Sequence, residues 1–121
     1  MKLSTGVDLI EISRVRDALE RQGKKFLARI FTEAEQLECG GRVDSLAARF
    51  AAKEAAAKAL GCGIGDVRWL DIEIRSDEEK APHLYFYGEG ERLVKELGLT
   101  NWSVSLSHTE SLAIAFVVAI G

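Results

Sequence analysis

Leu3, Thr5, Val7 and Leu9 fall on one side of the opening segment "LSTGVDL", which predicts a short strand over residues 3–9 with Gly6 as its weakest point. The period then changes. From about Glu11, Ile12, Val15, Ala18 and Leu19 share a helical face that ends at Gly23, with Arg14 and Arg21 seven apart on a neighbouring face. "FTEAEQLEC" sets Thr32 and Glu35 at capping-box spacing, predicting a short helix to about Cys39 that Gly40 and Gly41 close. The alanine-rich run "RFAAKEAAAKAL" at 49–60 predicts another helix. Beyond the turn-forming "GCGIGD", Leu70, Ile72 and Ile74 alternate against Asp71, Glu73 and Arg75, a strand that pairs with "HLYFYGEG" across the polar loop "SDEEKAP". A helix around 89–97 ended by Gly98, an alternating strand carrying Trp102, Val104 and Leu106, and a buried strand "LAIAFVVAI" complete the chain. Helices in the first half and antiparallel hairpins in the second predict an α+β fold, an antiparallel sheet packed against helices, in one domain over 1–121.

Composition narrows the function classes. A chain of 121 residues has room for a core but is short for a large internal cleft, a limit that a site built between chains would ease. Its 47% hydrophobic and 29% charged residues are those of a soluble globular protein. A net charge of -3 gives no overall basic field, which argues against duplex-DNA binding. Cys39 and Cys62 lie far apart without CxxC spacing, so neither a zinc site nor a disulfide framework is expected, and both read as reduced thiols of a cytosolic protein. Polar residues interrupt the N-terminal segment too early for a signal or transit peptide, and the longest apolar run is too short for a membrane span.

On a helical wheel with Glu54 at zero, Ala48, Ala52, Ala55, Ala56 and Ala59 fall between about 100 and 200 degrees, a small-residue face able to approach a sheet closely. Lys58 and Glu54 stand instead in a partly apolar stripe with Phe50, Ala47 and Ala51, while Lys53 and Arg49 occupy a third sector. The stripe fits a cleft wall or a subunit contact. The pair also fits an ordinary i,i+4 helical ion pair contributing about 0.2–0.5 kcal/mol. Asp8, read as the end of the first strand before a helix, is either an N-cap or turn residue or a second carboxylate for Glu54. Two carboxylates without a histidine or thiolate form an oxygen-ligand site suited to Mg²⁺, which takes one or two protein carboxylates and completes its shell with water and substrate phosphates.

"GVDLIEI" from Gly6, "ARFAAKEAAAKALGCGIG" from Ala48 and "SLSHTES" from Ser105, in that order and in a chain of this length, resemble the holo-acyl-carrier-protein synthases, the short single-domain group of the 4′-phosphopantetheinyl transferases. The FxxKExxxK core of Phe50, Lys53, Glu54 and Lys58 is the most specific part. The resemblance implies transfer of the phosphopantetheine arm of coenzyme A to a serine of an apo acyl carrier protein, releasing 3′,5′-ADP, in fatty acid biosynthesis. It implies Mg²⁺ as cofactor and a homotrimer with active sites between subunits.

By the same resemblance, Asp8 and Glu54 bind Mg²⁺, Glu54 or a water it holds is the base for the carrier serine, and Lys58 holds the pyrophosphate and the departing phosphate. His108, Thr109 and Arg49 look like contacts to the nucleotide and its 3′-phosphate from the adjacent subunit. The acidic carrier would meet Arg14 and Arg21. His83 has no motif support and reads as a surface loop residue. Two positions depart from the family: Cys62 stands where Thr is usual, and "SDEEKAP" lacks a glycine before its proline, which questions that turn. Other classes remain beside the transferase. A silent trimeric binding module for coenzyme A or a carrier would not need the Asp8, Glu54 and Lys58 set, and a Mg²⁺-dependent nucleotide hydrolase would release 3′,5′-ADP without a carrier.

Overall fold

A computed structural model describes residues 1–121. β1 (Leu3–Glu11) leads directly into α1 (Ile12–Gln22), followed by α2 (Lys24–Ile30), α3 (Glu33–Cys39) and α4 (Val43–Ala59). After a 3₁₀ turn at Trp69–Asp71 come β2 (Ile72–Ser76), β3 (Pro82–Phe86), α5 (Gly88–Leu97), β4 (Asn101–His108) and β5 (Leu112–Ile120). β5 lies at the centre of a three-stranded sheet of order β1-β5-β4, antiparallel throughout, and β2 and β3 form a separate antiparallel hairpin. The predicted α+β architecture is therefore observed.

α4 is the axis of the core, packed against β1 and β5 on one side and contacted by α1, α3 and β2. Its alanines make this possible. Ala47, Ala51, Ala52, Ala55, Ala56 and Ala57 are completely buried, so the helix touches neighbours on nearly every side. The expectation that Ala47 and Ala51 lie on an outward stripe is thus corrected, because α1 closes over α4. Lys53 and Arg49, read as a third sector, are buried as well.

Gly6 is the point where β1 meets α4. A Cβ there would lie 1.8 Å from the carbonyl oxygen of Ala55, a distance no side chain can occupy. The residue that weakens the sequence signal for the strand is the one that lets strand and helix touch. Ser4, Gly6, Asp8 and Ile10 consequently face the helix, and the Ser4 hydroxyl donates to the carbonyl of Ala59. The apolar alternation of β1 faces the other way: Val7 and Leu9 are 48% and 59% exposed, beside Phe116 at 45% on β5. β5 is therefore buried on one face only, through Ala113, Ala115, Val117 and Ala119, where its sequence predicts a buried strand.

The helix predicted from Thr32 is α3, with both halves of its capping box formed and Gly40 in the left-handed region at its end. α2 has no sequence forecast, since Gly23, at φ 56, separates it from α1. Leu70 lies in the 3₁₀ turn, and Glu73 is buried with Ile72 and Ile74, so the alternation expected of "WLDIEIR" holds only from Ile72 and without a wet face at Glu73. His83 lies on β3 opposite Arg75, with its Nε2 2.7 Å from Asp77 Oδ2, rather than in the loop.

Candidate active site

β1 runs on to Glu11, so Asp8 is in the middle of a strand and is neither an N-cap nor a turn residue. Its backbone partner is Ala115, and its side chain joins Gly6 and Ile10 on the face toward α4. Glu54 and Lys58 come to meet it from one edge of α4, a turn apart.

The Lys58 ammonium donates to Asp8 Oδ1 at 3.2 Å and to the carbonyl of Val7 at 2.9 Å. It is this cross-link to β1, and not an i,i+4 pair with Glu54, that orders Lys58. Glu54 is half-buried. Burial raises its carboxyl above the ordinary glutamate value, the Asp8 charge raises it further, and Lys58 opposes both. The mutual influence of these three charges identifies one electrostatic site formed by a strand and a helix.

The chain has no cluster of three or more His, Cys, Asp or Glu side chains placed to hold a metal ion. A closed protein cage is thus excluded, whereas the Asp8 and Glu54 carboxylates fit Mg²⁺, which keeps most of its coordination sphere for water and phosphate oxygens.

A cavity of about 680 Å³ opens at the β4–β5 turn, where the predicted His108 and Thr109 stand with Ile12, Arg16, Arg42 and Asp44. Arg16 and Arg42 are the basic residues that sequence reading missed. Ile12 and Arg16 are four apart on α1, a spacing that could have revealed a second functional face; Arg42, at the N-cap of α4, has no such signal. His108 Nε2 lies 4.0 Å from Asp44 Oδ2. The Thr109 hydroxyl accepts from the Leu112 N–H at 3.1 Å, holding the turn. Across the sheet, His108 and Ile10 both pair with Ala113, while Asp8 pairs with Ala115. Two interstrand steps and one two-residue step separate the Cα atoms of His108 and Asp8 by roughly 12 Å within one chain.

Arg49 is not in that cavity. Its Nη2 donates to Glu38 Oε1 at 2.8 Å and its Nε to the carbonyl of Ile74 at 3.3 Å, so within one chain it ties α4 to α3 and β2 and does not join His108 and Thr109.

Arg14 and Arg21 do converge. With Arg29 and Asp17 they rim a groove of about 370 Å³ whose apolar floor includes Phe26, Ile30, Phe50 and Trp69. Phe50 packs on Trp69 with ring centroids 4.6 Å apart and precedes Glu54 by one helical turn, so the groove opens beside the carboxylates. Cys39 and Cys62 are both free thiols, as expected. Cys62 donates weakly to the carbonyl of Ala57 at 3.5 Å, and burial pushes its thiol above the usual value, which leaves it a poor nucleophile.

A family model described as the 4′-phosphopantetheinyl transferase superfamily matches residues 4–117. A holo-[acyl-carrier-protein] synthase of Herpetosiphon aurantiacus is 50% identical, covering 98% of this chain and 99% of the relative. One from Chlamydia caviae is 47% identical over 95% and 94% of the two chains. Among solved structures, the Helicobacter pylori holo-[acyl-carrier-protein] synthase in complex with coenzyme A superposes with a TM-score of 0.88 at 32% identity, covering 96% of this chain and 99% of that one. The Neisseria meningitidis synthase gives 0.88 at 37% identity and 98% coverage of both.

Proposed function

The chain belongs to the 4′-phosphopantetheinyl transferase superfamily, and on that premise we propose that it transfers 4′-phosphopantetheine from coenzyme A to a serine of an apo acyl carrier protein, as a single domain over 1–121. The observation that carries the proposal is the convergence of Asp8, Glu54 and Lys58 beside a groove rimmed by arginines. In this reading the serine oxygen attacks the phosphorus that bears the pantetheine arm. The bond from that phosphorus to the bridging oxygen breaks, and 3′,5′-ADP leaves.

Glu54, or a water it holds, takes the serine proton. Lys58, which reaches from α4 to β1 with its side chain half exposed, holds the pyrophosphate and neutralises the charge that develops on the departing phosphate. Asp8 and Glu54 are the residues that would hold Mg²⁺, whose contribution when bound is to neutralise and orient the pyrophosphate oxygens. Arg16, Arg42, His108 and Thr109 offer the nucleotide end of coenzyme A hydrogen-bond donors in a cavity that Asp44 and Glu110 also line.

The groove takes the carrier, an acidic protein as a class, with Arg14 and Arg21 facing its carboxylates and Phe50 and Trp69 its apolar side. A homotrimer accounts for two further observations: the roughly 12 Å between His108 and Asp8 within one chain, and the wet apolar face made by Val7, Leu9, Ile114 and Phe116. No helix is long and apolar enough to cross a membrane.

The test is the intact mass of an apo acyl carrier protein after incubation with this chain, coenzyme A and Mg²⁺, beside a chelator control. A phosphopantetheine-sized gain that the chelator abolishes is the expected result. No gain on several carriers, with coenzyme A still bound, would replace the transferase by a binding module.

A further inference from the structure

Lys53 adjoins Glu54 in sequence but points about 100° away around α4, and it is completely buried. Its Nζ donates to the carbonyl of Ile30 at 2.6 Å and to that of Trp69 at 3.0 Å, and it pairs with Glu35 Oε1 at 2.7 Å. An ammonium has three donors, and here three acceptors meet them. Ile30 is the last residue of α2, so its carbonyl has no partner within its own helix and a cation suits it. Glu35 continues the network: its Oε2 accepts from the Ile74 N–H at 2.8 Å and its Oε1 from the Thr32 N–H at 2.8 Å.

Ile30 and Trp69 also line the arginine-rimmed groove, as does Phe50, which packs on Trp69 and is one turn before Lys53 on α4. A methionine could fill most of the same volume without burying a charge, and a buried ion pair is weak support for stability as such. What the ammonium adds is direction: one atom fixes the end of α2 and the 3₁₀ turn at Trp69 with respect to α4.

We propose that Lys53 is a positioning residue for carrier recognition, a buried three-way clamp that sets the separation of the Ile30 and Trp69 walls while touching neither substrate. The inference rests on the transferase reading and deepens it. An arginine, with a planar fork in place of a tetrahedral ammonium, cannot reproduce the clamp.

The experiment compares wild type, Lys53→Met, Lys53→Arg and the double variant Lys53→Met with Glu35→Gln by initial rates of carrier mass gain, varying apo carrier and coenzyme A separately, with carrier affinity measured by calorimetry. The clamp predicts that apparent KM and Kd for the carrier rise about tenfold in the single variants, while KM for coenzyme A stays within about twofold. The double variant leaves no unpaired buried charge and shows the same split. Folded variants with an unchanged carrier KM, or with both KM values rising together, overturn the proposal. So does failure of both Met variants to fold, which would make the pair a requirement of the fold alone. A wild-type chain that modifies no carrier removes the transferase reading, and this inference with it, before any variant is compared.

Discussion

Substituting Gly6 by alanine adds one methyl group at the contact on which the site depends. The new Cβ would stand 1.8 Å from the Ala55 oxygen, 2.8 Å from its carbonyl carbon and 3.0 Å from the Ala59 nitrogen, whereas ordinary contact begins at 3.4 Å. Strand and helix must therefore part by about 1.6 Å at that point. The obstruction is helix backbone, which cannot rotate aside as a side chain can. Overpacking of a core costs about 1–3 kcal/mol, and this case belongs at the upper end. Asp8 is two residues farther along β1, so its carboxylate moves relative to Glu54 and Lys58 by a comparable amount. A misplacement of about 1 Å can reduce catalysis on the order of 10²-fold. Guanidinium unfolding followed by tryptophan fluorescence reads the first effect and the rate of carrier mass gain reads the second. A Gly6→Ala chain with an unshifted midpoint and a rate within about threefold of wild type would refute both the close approach and its role in placing Asp8.

Glu54→Gln should lower transfer by about 10²–10⁴-fold with the fold intact, measured by carrier mass gain beside circular dichroism. In the presence of chelator the same variant should be more stable than wild type at pH 8, and the difference should shrink as pH falls through the Glu54 titration in thermal melts. The sign follows from a carboxyl raised in the folded state: the wild-type chain is favoured when Glu54 is protonated and loses that advantage as pH rises. Arg14→Glu with Arg21→Glu should raise the carrier KM by about tenfold or more, less so in high salt, with little change in KM for coenzyme A. Lys80 is the one non-glycine residue with a positive φ, at 65°, within the 76–82 turn. Lys80→Gly should therefore raise stability by about 0.5 kcal/mol, the relief of left-handed strain less the entropy gained by the unfolded chain, as read by denaturant midpoint.

The turn at Lys80 shows how a sequence departure became legible only in three dimensions. The missing glycine raises a doubt about geometry, and the structure places the strain at Lys80 and its compensation at Asp77, whose Oδ1 accepts from the Glu79 and Ala81 N–H groups. Elements with local signals were readable: the capping box of α3, the apolar face of α1, the hairpin of β2 and β3, and α5 ending at Gly98. α2 was not, because seven residues without a side-chain cap give little periodicity. Lys53 and Arg49 look like solvated charges on an alanine helix, and only tertiary packing takes them inside, through Glu35 and Glu38 of α3 and the carbonyls of Ile30, Trp69 and Ile74. The site divides in the same way. Asp8, Glu54 and Lys58 were visible through spacing and motif, whereas Arg16 and Arg42 join His108 only through tertiary packing.

The outward face of the three-stranded sheet bears on what stability means for this chain. Val7, Leu9, Ile114 and Phe116 remain wet in a lone copy, so any free energy released by covering them enters through association rather than folding. Under the homotrimer reading, mass action then couples the two processes. The melting temperature should rise with protein concentration, and specific activity should fall on dilution below the assembly constant. A single unfolding free energy would be defined only at a stated concentration.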